Sequence, residues 1–130
     1  MKTAWYVDDD SEMIQAVTLM MQLLDFKVKP FNAARDAAKA LEETCPDLLI
    51  LDINMPEVNG IDLLEFIRLR ECFNHLPVVM LSSEHTDAKV DEALQKGADA
   101  YMMKPVTIDE LEDTINTAFE KHGGDRLERD

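Results

Sequence analysis

Four apolar residues in a row, Leu48, Leu49, Ile50 and Leu51, run into a single carboxylate at Asp52. The turn-forming residues Asn54, Pro56, Asn59 and Gly60 follow. The run is short and has no helical period, so it reads as a strand buried on both faces. Such a strand needs helices above and below it, which fixes most of the fold. Its terminal acid stands where open α/β sheets place their ligands, at the carboxyl end of a central strand.

The rest of the chain supplies what that strand requires. Residues 3–7, 27–31, 77–81 and 100–103 read as four further strands, and Pro30 marks the second as a sheet edge. Helical segments alternate with them. The first has Asp10 or Ser11 as N-cap and Ile14, Val17, Met21 and Leu24 as its buried stripe. The second covers about 33–44, packs through Ala34, Ala37, Ala38 and Leu41, and is closed by Pro46. The third follows Gly60 and carries Leu63, Leu64, Phe66 and Ile67. The fourth, about 87–96, has only Val90, Ala93 and Leu94 to bury before Gly97 stops it. Thr107 with Glu110 forms a capping-box pattern for the fifth, which buries Leu111, Ile115, Ala118 and Phe119. Five strands alternating with five helices predict one doubly wound α/β domain with right-handed crossovers.

Composition narrows the function. A net charge of −14, from 27 acids against 13 bases, argues against direct nucleic-acid binding and for a cation or a basic partner. Cys45 and Cys72 are isolated thiols without ligand spacing, which fits a cytoplasmic protein. No segment has the 18 apolar residues of a membrane span, so a soluble chain without membrane contact is expected. His75, His85 and His122 read as solvated, and the methionine pairs Met20-Met21 and Met102-Met103 as core filler. Glu84, two residues past Ser82, is either a loop acid or a group that leans over the strand ends.

All strand carboxyl ends of such a sheet open onto one edge. There stand Asp8 and Asp9 from the first strand, Asp52 from the third, Ser82 from the fourth and Lys104 from the fifth. Three crowded carboxylates raise one another's pKa unless a cation joins them. Mg²⁺ fits best, because it takes one or two carboxylates and keeps open positions for phosphate oxygens. A hydroxyl and an ammonium complete a place where a phosphoryl group can land on a carboxylate.

The motifs VDDD (7–10), LDINMP (51–56) with Gly60, LSS (81–83) and YMMKP (101–105) resemble those of the receiver domain of the two-component response-regulator family. The likeness covers about residues 3–121. It implies a CheY-like, flavodoxin-like (βα)5 fold with strand order 2-1-3-4-5, a receiver domain over residues 1–122, and a charged tail or linker start over 123–130. It further implies that Asp52 is the phosphoacceptor and that Asp9 binds Mg²⁺ directly (Mn²⁺ can substitute). Asp8 would act mainly through a coordinated water, and Asn54 would give its backbone carbonyl to the metal. Ser82 would grip the phosphoryl group, Lys104 would pair with it, and Tyr101 would be the switch aromatic. The peptide before Pro105 is cis in the family. The implied phosphodonor is a histidine kinase or a phosphotransfer protein. An output partner, an effector domain or a second copy in a phosphorylation-dependent homodimer would be controlled through helix 4, strand 5 and helix 5.

The chain also speaks against two other classes. An aspartyl-phosphate phosphatase with an Asp-x-Asp motif needs a second acid at position 54, where this chain has Asn54. A flavodoxin-type cofactor binder needs a hydroxyl- and glycine-rich phosphate loop after the first strand, and this chain has DDDSE there. The expectation is therefore a signalling domain that turns over no separate substrate. A constitutive interaction module on the same fold is the remaining alternative, against which the intact site speaks.

Overall fold

Every strand of the computed structural model ends at a polar residue or just before one, and all the strands run the same way. The structure describes residues 2–55, 59–83 and 86–123. In chain order the elements are β1 (Lys2–Val7), α1 (Ser11–Leu23), β2 (Phe26–Phe31), α2 (Ala34–Leu41), β3 (Leu48–Asp52) and α3 (Gly60–Arg68). A short 3₁₀ turn (Glu71–Phe73), β4 (Val78–Ser82), α4 (Asp87–Gln95), β5 (Ala100–Met103) and α5 (Ile108–Lys121) complete it. The sheet order is β2-β1-β3-β4-β5, as expected, with every pair parallel.

Strand alternation divides the core in two. Trp5, Val7, Leu49, Leu51, Val78 and Met80 face α2, α3 and α4, where they meet Leu41, Leu64, Ile67 and Ala93. Ala4, Tyr6, Leu48, Ile50, Val79 and Leu81 face α1 and α5, against Val17, Met21, Leu111 and Ile115. Both faces of β3 and β4 are covered, so their five residues each are fully buried. That is why those strands read as apolar runs while the edge strand β2, with Pro30 and two exposed lysines, does not.

Local details follow the chemistry of the caps. Asp10 is the N-cap of α1 and accepts from the backbone N–H groups of Glu12 and Met13. Thr107 caps α5 by accepting from the Glu110 N–H, and its hydroxyl donates to the Glu110 carboxylate. The second helix is shorter than its expected span. After Leu41 the exposed residues Glu42, Glu43 and Thr44 have nothing to bury, and the chain tightens into turns closed on Lys39 and Ala40 carbonyls. The fourth helix is thinner than expected. Of its stripe only Ala93 is buried, and Leu94 is 40% exposed. Met21 and Met102 are core filler, but Met103 is 41% exposed on the edge strand.

The edge of the sheet opposite the acids is held by a carboxylate hub. The Asp99 Oδ2 atom accepts from the Val78 N–H at 2.8 Å, the Arg68 guanidinium at 3.0 Å and His122 Nε2 at 2.9 Å. Arg68 also donates to the carbonyls of Gly97 and Phe73. His122 is thus a half-buried partner of Asp99 rather than a solvated histidine; its position at the end of α5 gave no hint of the contact. His75 is exposed, and His85 lies outside the described residues. Asp99→Ala leaves Arg68 half-buried without its counter-charge and the Val78 N–H without its carboxylate. It should cost about 2–4 kcal/mol, read by urea unfolding, whereas Asp99→Asn, which keeps an acceptor, should cost less.

Candidate phosphoryl-transfer site

Period two decides which strand-end side chains meet. Asp8 follows Tyr6, Asp52 follows Ile50, and Lys104 follows Met102, all on the α1/α5 side of the sheet. Registry does the rest: Val7 pairs with Leu51, so Asp8 and Asp52 stand side by side just beyond. Lys104 arrives from the far strand, its backbone N–H donating to the Ser82 carbonyl at 2.8 Å.

The resulting cluster is compact. The Lys104 ammonium lies 2.9 Å from Asp8 Oδ2 and 3.3 Å from Asp52 Oδ1. Asp8 is fully buried and Asp52 nearly so, while Asp9 is exposed at the rim. One carboxylate oxygen from each of Asp8, Asp9 and Asp52 lies within 4.8 Å of the other two. An all-oxygen set of this size and charge can hold a hard divalent cation, and the oxygens suit Mg²⁺ far better than a thiophilic metal. The acidic run is therefore divided: Asp10 caps α1, and Asp8 and Asp9 are left for the site.

Electrostatics match the geometry. Burial is the main force that raises the Asp52 carboxyl to about 6, with Asp8 adding to it and Lys104 opposing. Lys104 loses some basicity to burial, but its bonds to Asp8 and Asp52 outweigh that and leave its pKa raised. Tyr6, which the sequence placed only within the first strand, donates its hydroxyl to Asp8 Oδ2. Burial first, and Asp8 second, push its pKa upward, so it remains a donor. A tyrosine two residues before an acid shares that acid's face of the strand. That spacing was the signal that could have found it.

The other expected residues fall around the cluster. Ser82 is fully buried at the end of β4, on the α3/α4 side of the sheet. Asn54 is exposed, and its backbone favours the ionised form of Asp52. Tyr101 is half-buried against the α2/α3/α4 side of the core, level with Met80. The Lys104–Pro105 peptide is cis. Gly60 opens α3 so close to the acceptor strand that a Cβ there would lie 2.2 Å from the Asp52 carbonyl oxygen, so no side chain fits. Glu84 and Pro56 lie outside the described residues.

The family model described as "Response regulator receiver domain" matches residues 5–116. The chain belongs to that family. This receiver domain is 34% identical over 119 residues to the chemotaxis protein CheY of Pseudomonas aeruginosa, covering 91% of this chain and 96% of that protein. It is 31% identical to the transcriptional regulatory protein PrrA of Mycobacterium leprae, covering 90% of this chain and 49% of PrrA. Among solved structures it resembles a receiver domain protein from Clostridium thermocellum with a TM-score of 0.85, at 25% identity and covering 95% and 98% of the two chains. Vibrio cholerae CheY4 gives a TM-score of 0.82 at 26% identity, covering 88% and 96%. The receiver domain is a signalling unit of two-component systems, whose members meet histidine kinases and output partners. Among the described residues no helix is long and apolar enough to cross a membrane.

A raised carboxyl is a burden on the metal-free fold. The Asp52 carboxyl sits near 3.8 in the unfolded chain and about 6 in the folded one. Its ionisation therefore opposes folding as pH rises, with no penalty below about pH 4 and the full penalty above about pH 6. In chelator, Asp52→Asn should gain about 1–3 kcal/mol at pH about 7.5. The gain should fade as pH falls through 6 and vanish near pH 4. Urea melts across that range check it.

Proposed function

We propose that this receiver domain is a phosphorylation switch with Asp52 as the phosphoacceptor, working in the cytoplasm on a phosphoryl group from a histidine kinase or phosphotransfer protein. The observation that carries the reading is the Lys104 ammonium held between two buried carboxylates, with a third carboxylate at the mouth. In the transfer, an Asp52 carboxylate oxygen bonds to phosphorus as the N–P bond of the donor phosphohistidine breaks and the imidazole leaves. Little covalent help is needed beyond an in-line nucleophile and neutralisation of charge. Lys104 provides part of that charge and remains to pair with the phosphoryl oxygens. The Ser82 hydroxyl, one residue beyond the register partner of Asp52, donates to another of those oxygens. Mg²⁺, or Mn²⁺ in its place, would be held by Asp9, Asp52 and the Asn54 backbone carbonyl, with Asp8 acting through a bound water, and would neutralise the phosphoryl oxygens. Residues 1–122 are assigned to this switch, and residues 124–130, expected as a charged tail or linker start, lie outside the described residues.

The readout runs through α4. Drawing Ser82 toward a phosphoryl group moves the segment that leads into this helix. The α4 helix resists weakly, because Ala93 is its one buried residue. Its far end is fixed instead, by Lys96 to Glu65 and by the Gly97 carbonyl to Arg68. A helix tied at one end and lightly packed along its length can tilt at the other. Tyr101, half-buried beside it, is placed to fill the space that opens. The exposed Leu94 and Met103 give the α4–β5–α5 face an apolar surface for an output partner, an effector domain or a second copy. The change needed is a population shift between two packings.

Acetyl phosphate labelling should require divalent cation, and Asp52→Asn should abolish the hydroxylamine-sensitive acyl phosphate. Equal labelling in excess chelator, or label persisting on another carboxylate, would refute the chemistry. Beryllofluoride with Mg²⁺ should shift amide resonances over residues 86–105 as well as around Asp52. Ser82→Ala should remain phosphorylatable yet lose the shifts over 86–105; their survival would place the route elsewhere.

A further inference from the structure

The hydrogen bonds around Asp8 assign a role to a residue that no strand motif marks. An ionised carboxylate offers about four acceptor positions. On Asp8, Oδ2 accepts from the Tyr6 hydroxyl and from the Lys104 ammonium at 2.9 Å, and Oδ1 accepts from the Asp10 backbone N–H at 3.0 Å. Three positions are taken, and the one that remains is on Oδ1. Asp8 therefore cannot chelate a cation with both oxygens. It presents one oxygen in one orientation.

We infer that Tyr6 is a positioning residue: its hydroxyl, with Lys104, occupies Oδ2 of Asp8 and so turns Oδ1 toward the cation or its water. The inference rests on the Mg²⁺-dependent phosphorylation proposed above. Lys104 alone does not fix the carboxylate, because it also reaches Asp52 at 3.3 Å and can shift between the two. Tyr6 is rigid where Lys104 is not. Its ring is fully buried in the α1/α5 side of the core and its two torsions are set by packing, so its hydroxyl arrives from one direction. An outer partner of this kind orients a ligand that it does not replace.

Tyr6→Phe isolates the hydroxyl, since the ring stays in the core. With Mg²⁺ alone as the probe, calorimetry should show about tenfold weaker binding. Acetyl phosphate labelling should fall at low Mg²⁺ and return to near the wild-type rate when Mg²⁺ is saturating. Far-UV circular dichroism reports that the variant is folded. In an Asp8→Asn background the second substitution should add nothing to the loss of Mg²⁺ affinity, because the hydroxyl acts through that carboxylate. A folded Tyr6→Phe protein with unchanged or tighter Mg²⁺ binding overturns the inference and leaves Asp52 phosphorylation standing. An effect that persists undiminished in the Asp8→Asn background overturns it too. Wild-type protein that binds no Mg²⁺ overturns this inference and the phosphorylation reading together.

Discussion

The buried pair of carboxylates at the ends of β1 and β3, bridged by one ammonium from β5, is the contact on which the rest of the molecule depends. Two acids side by side in a protein interior repel, and burial strengthens the repulsion. The fold tolerates them because Lys104 is carried to the same point by a strand two places from β3 and three from β1. Tyr6 and the Asp10 N–H supply further compensation to Asp8, but Asp52 keeps a raised carboxyl. The site is stable enough to form and unsatisfied enough to welcome positive charge. On the proposed reading, an incoming cation would relieve it, and a phosphoryl group would then add negative charge that the same groups must redistribute.

The two ends of the sheet are held very differently. At the amino end of β4, Asp99 gathers a backbone N–H, a guanidinium and an imidazole on one oxygen, joining the ends of α3 and α5 to the strand. At the carboxyl end of the same strand stands Ser82, followed by a segment that enters a helix with one buried residue. On the proposed reading, a disturbance at the acids would meet little resistance toward α4, where Ala93 alone is buried, and much more toward the base of the sheet. Leu94 and Met103, on α4 and β5, are exposed apolar residues.

Much of this was legible in the linear chain because it is set by local rules. Strand alternation put Asp8, Asp52 and Lys104 on one side, and the caps at Asp10 and Thr107 follow from residue type. Gly60 after the turn residues also follows, although its reason is a close approach to the Asp52 carbonyl rather than a special backbone angle. Where local rules were extended too far they failed. The second helix stops at Leu41 because the next residues have no core to reach, and Leu94 lies outside the buried stripe although it has the right composition.

The sequence by itself determined the alternating fold, the edge at which the functional groups collect, and the chemical types gathered there, because side-chain periods of two and 3.6 residues are properties of the backbone. Only the tertiary structure decided how the hydrogen-bonding positions of each carboxylate are shared. That Asp8 is pinned by Tyr6, that Lys104 is divided between Asp8 and Asp52, and that His122 closes on Asp99 are all contacts near 3 Å or shorter. Such contacts depend on where whole elements come to rest against one another, and no period along the chain encodes a distance between them.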